Sequence, residues 1–239
     1  MEYIVTSING LLNFWVDTAW YIALAMSALV NLLVFFTAAY SVDKLSLWFS
    51  KELKSGAYID TRPLKANQKQ REMKYGAISC LIFAVGSLFT RELYSDLWPN
   101  TVFNFVWQVL VFSVYYETYS YFVHRLLHTK HFSKYHAVHH WSVRVTPWSA
   151  YSVHPVEATL IAISAPIFMA IFPLSLGVAF VLHIMGMVFT ITLHSNYQFA
   201  NGRFSGYMLY HQLHHSRGSV NFGFVNKYWD TLLKTKRCS

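Results

Sequence analysis

Between Trp20 and Tyr40 the chain reads WYIALAMSALVNLLVFFTAAY, twenty-one residues without a charge. An α-helix needs about 20 apolar residues to cross the hydrocarbon core of a bilayer. Further apolar runs follow at about 75–90, 101–121 and 158–193, the last long enough for two crossings joined near Pro173. The pattern predicts an all-α integral membrane protein with about four to five transmembrane helices. The earlier stretch 3–14 is apolar but interrupted by Gly10 and ended by Asp17, and reads as an interfacial helix or an extension of the first span. Residues 43–74 form a polar connection, and everything after His194 is polar enough for an aqueous cap.

Composition agrees. The 239 residues are 54% hydrophobic and only 13% charged, with a mean hydropathy of +0.30. Aromatic residues make up 18%, and Trp and Tyr favour the membrane interface. The length fits a single domain, 1–239. The net charge of +8 raises the question of nucleic acid, but the basic residues lie between the apolar runs, so no nucleic-acid partner is expected. They crowd into 43–74, the segment after 121 and the tail, whereas Arg91 stands alone beside Glu92 and Asp96. An even number of crossings separates the three basic segments, which places all of them on the cytosolic side. Cys80 and Cys238 imply no disulfide framework and form no CxxC motif. Met1-Glu2 opens without a basic stretch, so a cleaved signal peptide is not expected.

On that cytosolic side the chain concentrates imidazole. FVHRLLHTKHFSKYHAVHH, from Phe122 to His140, holds six histidines, and HQLHH adds three. His124 and His128 are four residues apart, which sets both on one helical face. His136, His139 and His140 repeat spacings of three and four, and so do His211, His214 and His215. A lone histidine is ordinarily a surface or hydrogen-bonded residue; three clusters, two of them HxxHH, are not explained that way. Neutral imidazole is the commonest protein metal ligand and suits zinc, copper, iron and nickel. Eight convergent imidazoles exceed the needs of one four-coordinate ion, so two metals are the economical reading.

HRLLH, HAVHH and HQLHH resemble, in order and spacing, the three histidine boxes of the fatty acid hydroxylase and sterol desaturase superfamily. SVHPVEAT is similar to the histidine-proline segment of sterol methyl oxidases and C5-desaturases, and LHSNY to their isolated histidine, here His194. HQLHHSRGSVNFGFVNKYWD resembles the C5-desaturase ending, although many members carry glycine-threonine after the Asp where this chain reads WDTLLKTKR. The resemblance covers about 122–230. It implies a di-iron centre that uses O2 as co-substrate to hydroxylate or desaturate an unactivated C–H bond in a membrane lipid, fatty-acyl or sterol-like. Zinc fits the same ligands and can replace iron in isolated protein. The ligand set implied is His124, His128, His136, His139, His140, His154, His194, His211, His214 and His215.

Several residues keep two readings. His154 is a ligand or a support to one. Glu157 hydrogen-bonds a ligand histidine or serves the start of a helix. Asn221 and Asp230 are similar supporting candidates. His183, eleven residues before His194, lines a lipid cavity or is a buried hydrogen-bonded histidine, and Glu117 is open in the same way. No haem-attachment, dinucleotide or ferredoxin motif is present, so electrons come from a separate donor such as cytochrome b5 or a ferredoxin. A bacterial inner membrane and the endoplasmic reticulum fit equally. The alternative of another class is a histidine-rich metal-binding or metal-transport protein. HExxH is absent, which removes the zinc metalloprotease reading.

Overall fold

A computed structural model describes residues 2–198 and 205–237. It is about 70% helix, with one two-stranded sheet. Helix α1, Glu2–Asp17, turns at Thr18 and Ala19 into α2, Trp20–Lys51. It is therefore a separate helix rather than an extension of the first span. Trp15 closes the turn, its indole N–H donating to Ala23 O at 3.0 Å and Ser27 Oγ at 2.9 Å. α2 runs eleven residues past Tyr40, because no glycine or proline interrupts it before Gly56. α3 is Gln68–Leu93 and α4 is Val102–Leu127, the latter started by Thr101, whose side chain accepts from Asn104 N.

α5, Ser133–His140, is short and leads through a buried 3-10 turn, Pro147–Tyr151, into α6, Pro155–Ala162. α7, Ser164–Met169, follows after a break at Ile163. Pro166 has no N–H to give the Ala162 carbonyl, so the helix stops and restarts. Its fifteen residues reach only about 22 Å. α8 is Leu176–Leu193, α9 is Ser205–Arg217 and α10 is Tyr228–Leu232. α2, α3 and α8 are long and apolar enough to cross a membrane. α4 falls short of that measure, yet it exposes Val102, Phe103, Trp107, Leu110 and Val114.

Hydrogen bonds fix the two ends of the bundle. At one end Ser95 N donates to Leu174 O, Leu176 N to Asp96 O, and Trp98 Nε1 to Asn9 Oδ1. The turn near Pro173 therefore packs against the α3–α4 connection. At the other end β1, Ala57–Tyr58, pairs antiparallel with β2, Tyr197–Gln198, just beyond α8. Asn196, in the left-handed region at φ 56°, holds this end: its Oδ1 accepts from Asp60 N and its Nδ2 donates to Asp60 O, both at 2.8 Å. Five passes, α2, α3, α4, α6–α7 and α8, run between these ends. All three histidine clusters lie at the second.

The main core joins α2, α3, α8 and the 3-10 turn through Phe35, Phe83, Trp148, Tyr151, Met187 and Ile191. α2 and α3 pack tightest where the Phe35 ring lies on Gly76. A Cβ there would sit 2.3 Å from Phe35 Cζ. A smaller core of Phe112, Phe168, Met169, Leu174 and Val178 ties α4 to α7 and α8.

Candidate metal centre

The C-terminal end of α4 carries His124 in its last turn and His128 at its cap. The chain then turns, because Thr129 N reaches back to Leu126 O and Ser133 N to Thr129 O. His131 sits in this turn, exposed and away from the other imidazoles. α5 brings His136, His139 and His140, α8 ends at His194, and α9 supplies His211, His214 and His215.

Nine histidines form two groups. His124, His128, His136, His140 and His214 make one; His139, His194, His211 and His215 make the other. Within each, one ring nitrogen per residue lies within 4.8 Å of all the rest. The HxxHH form has a geometric purpose. Adjacent residues on a helix point about 100° apart, so His139 and His140 diverge to different groups, and so do His214 and His215. The two groups touch, His140 stacking on His215 with ring centroids 4.9 Å apart.

Every close approach is between Nε2 atoms: His124 to His136 at 3.2 Å, His140 to His214 at 3.0 Å, His194 to His211 at 2.9 Å, and His211 to His215 at 3.1 Å. The outer nitrogens fix the tautomers. His124 Nδ1 donates to Phe222 O at 2.9 Å, His194 Nδ1 to Thr190 O at 2.8 Å and His214 Nδ1 to Val220 O at 2.7 Å. His136 Nδ1 donates to Glu157 Oε2 at 2.8 Å. A carbonyl or carboxylate can only accept, so the proton is on Nδ1 and the Nε2 lone pair points inward. His124 and His136 then aim two lone pairs at each other, which a cation between them would satisfy. A metal–nitrogen bond of about 2.1 Å sets neighbouring nitrogens about 3.0–3.4 Å apart, the spacing seen. The residues present therefore fit a pair of metal ions.

Charge state agrees. Burial pushes the His128 imidazole down to about 3, with His124 and His140 adding repulsion. Burial likewise pushes His140 down to about 4, with His124 the next cause. These rings stand neutral near pH 7, as a ligand must.

The supporting shell is partly the expected one. Glu157 is buried and bound to His136. Asp230, fully buried, accepts from Phe222 N at 2.9 Å, Gly223 N at 2.6 Å and Thr235 Oγ1 at 2.7 Å. It thereby fixes the segment whose Phe222 carbonyl holds His124. Thr235 also meets Tyr121 OH at 2.9 Å, so the divergent tail WDTLLKTKR still closes on the site. Asn221 touches no histidine; it donates to Tyr210 O and accepts from Arg237 N, pinning the tail to α9. His154 belongs to neither group, a correction to the expected ligand set. Its Nδ1 accepts from Val156 N at 3.1 Å as the cap of α6. The following proline opens the helix there and leaves this N–H to be satisfied. His183 is exposed between α8 and α2 and bonds Asn31 Oδ1 at 2.7 Å. Glu117 accepts from Val225 N and Asn226 N at 3.0 and 3.1 Å, anchoring the 222–226 loop to α4.

Glu72 was not foreseen. Fully buried on α3, its carboxylate accepts from Gln68 Nε2 at 2.7 Å, Ser142 Oγ at 2.8 Å and Thr146 Oγ1 at 2.5 Å. Gln212 of α9 grips the same loop, donating to Val143 O and accepting from Val145 N. Within KQREMKYG, Glu72 looks like one more solvated charge, and nothing local marks it otherwise.

An apolar cavity reaches the histidines from the bundle side. Tyr116, Tyr119, Val123, Ile161, Phe222 and Phe224 line it together with His124, His136, His139, His194 and His211.

Residues 109–235, more than half of the chain, match the profile of the fatty acid hydroxylase family. The chain belongs to this family. Among curated relatives, human lathosterol oxidase is 28% identical over 186 residues, covering 70% of this chain and 60% of the relative. A Delta(7)-sterol 5(6)-desaturase of Gibberella zeae is 29% identical over 140 residues, 58% of this chain and 40% of its own length. That of Candida dubliniensis is 26% identical over 218 residues, 87% and 55%. The chain thus spans about 60% or less of the length of these relatives. No solved structure matches it. The relatives are named as sterol oxidases and desaturases, and three helices of this chain are long and apolar enough to cross a membrane.

Proposed function

We infer that the chain binds two iron ions between its histidine groups and oxidises an unactivated C–H bond of a membrane lipid with O2. The observation that carries the reading is the meeting of two inward-facing Nε2 sets beside an apolar cavity that histidines of both groups line. Iron in such a site supplies O2 activation and C–H oxidation. Hydroxylation consumes one O2, two electrons and two protons and yields an alcohol and water; desaturation yields a double bond and two waters. The cavity walls hold hydrocarbon and exclude water. Glu157 keeps the proton on His136 Nδ1, and the Phe222, Thr190 and Val220 carbonyls do the same for His124, His194 and His214. The names of the relatives favour a sterol or similar polycyclic lipid. An external electron donor completes the stoichiometry.

The five passes are read as crossings, with the histidine end at the cytosol. The basic 43–74 connection and tail at that end support this orientation. The membrane is a bacterial inner membrane or the endoplasmic reticulum. A metal transporter would need ligands spread along the passes, whereas the nine converge at one end. The deciding experiment loads purified chain with iron or with zinc and follows O2 uptake and lipid product by mass spectrometry. Turnover is expected with iron only, and full activity of zinc-loaded, iron-free chain would overturn the redox reading.

A further inference from the structure

Beyond its histidines and Glu157, the apolar cavity has five lining side chains that carry a hydroxyl: Tyr116, Tyr119, Ser120, Tyr151 and Thr190. Four are committed to the protein. Tyr119 OH donates to Leu160 O at 2.7 Å, Ser120 Oγ to Glu117 O at 3.3 Å and Thr190 Oγ1 to Gly186 O at 2.8 Å. Tyr151 pairs with the Thr190 side chain. Tyr116 is the exception: among the described residues its hydroxyl has no hydrogen-bond partner.

The Tyr116 ring is set by its neighbours. It stacks on Phe112, one turn earlier on α4, with centroids 6.0 Å apart, and meets the Phe224 ring edge-on at 5.9 Å. Phe224 belongs to the loop that Glu117 anchors, and it also touches Phe189 of α8 at 5.6 Å. The Tyr116 hydroxyl lies within electrostatic reach of that of Tyr151, which the 3-10 turn contributes to the same cavity. It therefore faces the cavity. A hydroxyl in an apolar wall is unfavourable until a partner arrives. A lipid hydroxyl or keto group supplies one, because a phenol both donates and accepts. A plain hydrocarbon chain supplies none.

The place of this hydroxyl sets which carbon reacts. Tyr116 and His124 both belong to α4. Eight residues of helix separate them, a rise of about 12 Å. Both side chains lean toward the helix N-terminus, so the offset is kept. A lipid held by its oxygen at Tyr116 meets the histidines with a carbon about one fused tetracyclic ring system away. We propose that Tyr116 is the hydrogen-bonding anchor for the hydroxyl or keto group of a polycyclic lipid, and that oxidation falls on the end of the ring system remote from that oxygen. The anchor itself needs no redox chemistry; the position of oxidation rests on the oxidative reading above. Positions 5 and 6 of a sterol, named in the relatives, lie only one ring from its hydroxyl, too near for this spacing.

Equilibrium binding of tritiated probes to the full chain in detergent tests the anchor, whether or not the chain is loaded with iron. The probes are lathosterol, its 3-keto counterpart and the 3-deoxy hydrocarbon cholest-7-ene. A site built to hydrogen-bond an oxygen rejects the analogue that lacks it, so wild type should bind the first two at least about ten-fold more tightly than the third. Tyr116→Phe keeps both ring contacts and should bind all three alike, at the level of the hydrocarbon, with an unchanged unfolding temperature. Tyr119→Phe should keep the preference, because its hydroxyl is committed to Leu160 O. In turnover with iron, O2 and a chemical reductant, the new hydroxyl or double bond on lathosterol should lie in the D ring or side chain. Equal binding of alcohol and hydrocarbon by wild type, binding of no probe, or a preference that survives in Tyr116→Phe would overturn the anchor. Oxidation in ring B would overturn the placement. A preference lost in Tyr116→Phe, with no oxidation by iron-loaded wild type, would uphold the anchor and remove the oxidative reading instead.

Discussion

Each inward-facing imidazole depends on what its outer nitrogen touches. His136 leans on a carboxylate, whereas His124, His194 and His214 lean on backbone carbonyls. Such partners fix tautomer and ring angle, and losing one typically costs about 10–100-fold in metal affinity. Glu157→Gln should weaken metal retention by that order while keeping the fold, measured by metal content after graded chelation; unchanged retention would show the carboxylate to be incidental. Alanine at His128, His139, His194 or His214 should abolish bound metal and product. His131→Ala should retain both, because the helix ends before it and its ring faces solvent. Metal analysis across these five variants decides the matter, and loss in His131→Ala equal to that in His128→Ala would extend the first box. His183→Ala should keep its metal, since its contact is Asn31 rather than either group.

At the scale of elements, short connections position the ligands more than long helices do. α5 hangs between two clamps on the 142–146 loop, Glu72 from α3 and Gln212 from α9. Glu72→Ala would leave the buried Ser142 hydroxyl and the part-buried Thr146 hydroxyl without this acceptor, at up to about 1–3 kcal/mol for each, while Gln68 Nε2 keeps the Arg144 carbonyl. A large drop in thermal unfolding temperature with loss of metal is expected; an unchanged melt would mean the loop finds other partners. The 222–226 loop is held by Asp230 and Glu117 together. Gly223 is tight here, as a Cβ would lie 2.4 Å from Asn226 O. Gly223→Ala should cost about 1–3 kcal/mol and loosen His124 through the Phe222 carbonyl, seen as a lower melt and reduced metal content.

For the whole molecule, the two ends of the bundle differ in chemistry. One holds the metal centre, the small sheet and most of the basic residues. The other holds the α3–α4 connection, hydrogen-bonded to the Pro173 turn. If the passes are crossings, these ends lie in different compartments. Cysteine labelling of intact cells should modify Ser95→Cys from outside and spare Lys65→Cys. Labelling of the second without the first would invert the orientation.

The sequence by itself determined the helical class, because uncharged runs of membrane length have few other outcomes. It also made most of the two histidine groups legible, because i, i+3 and i, i+4 spacings are local geometry. Box order and the HHSR ending added the family. Tertiary structure alone decided how the boxes divide. His139 and His140 are neighbours in HAVHH, yet they serve different groups, and that assignment depends on where α4, α8 and α9 stand. It also separated His154 from His194. Both are isolated histidines beside an apolar helix, but one ring is consumed by the backbone of α6 and the other faces His211. Glu72 and Asn196 were illegible for the same reason. Their partners lie about 70 and 136 residues away, and only packing brings a distant chain segment within hydrogen-bonding reach.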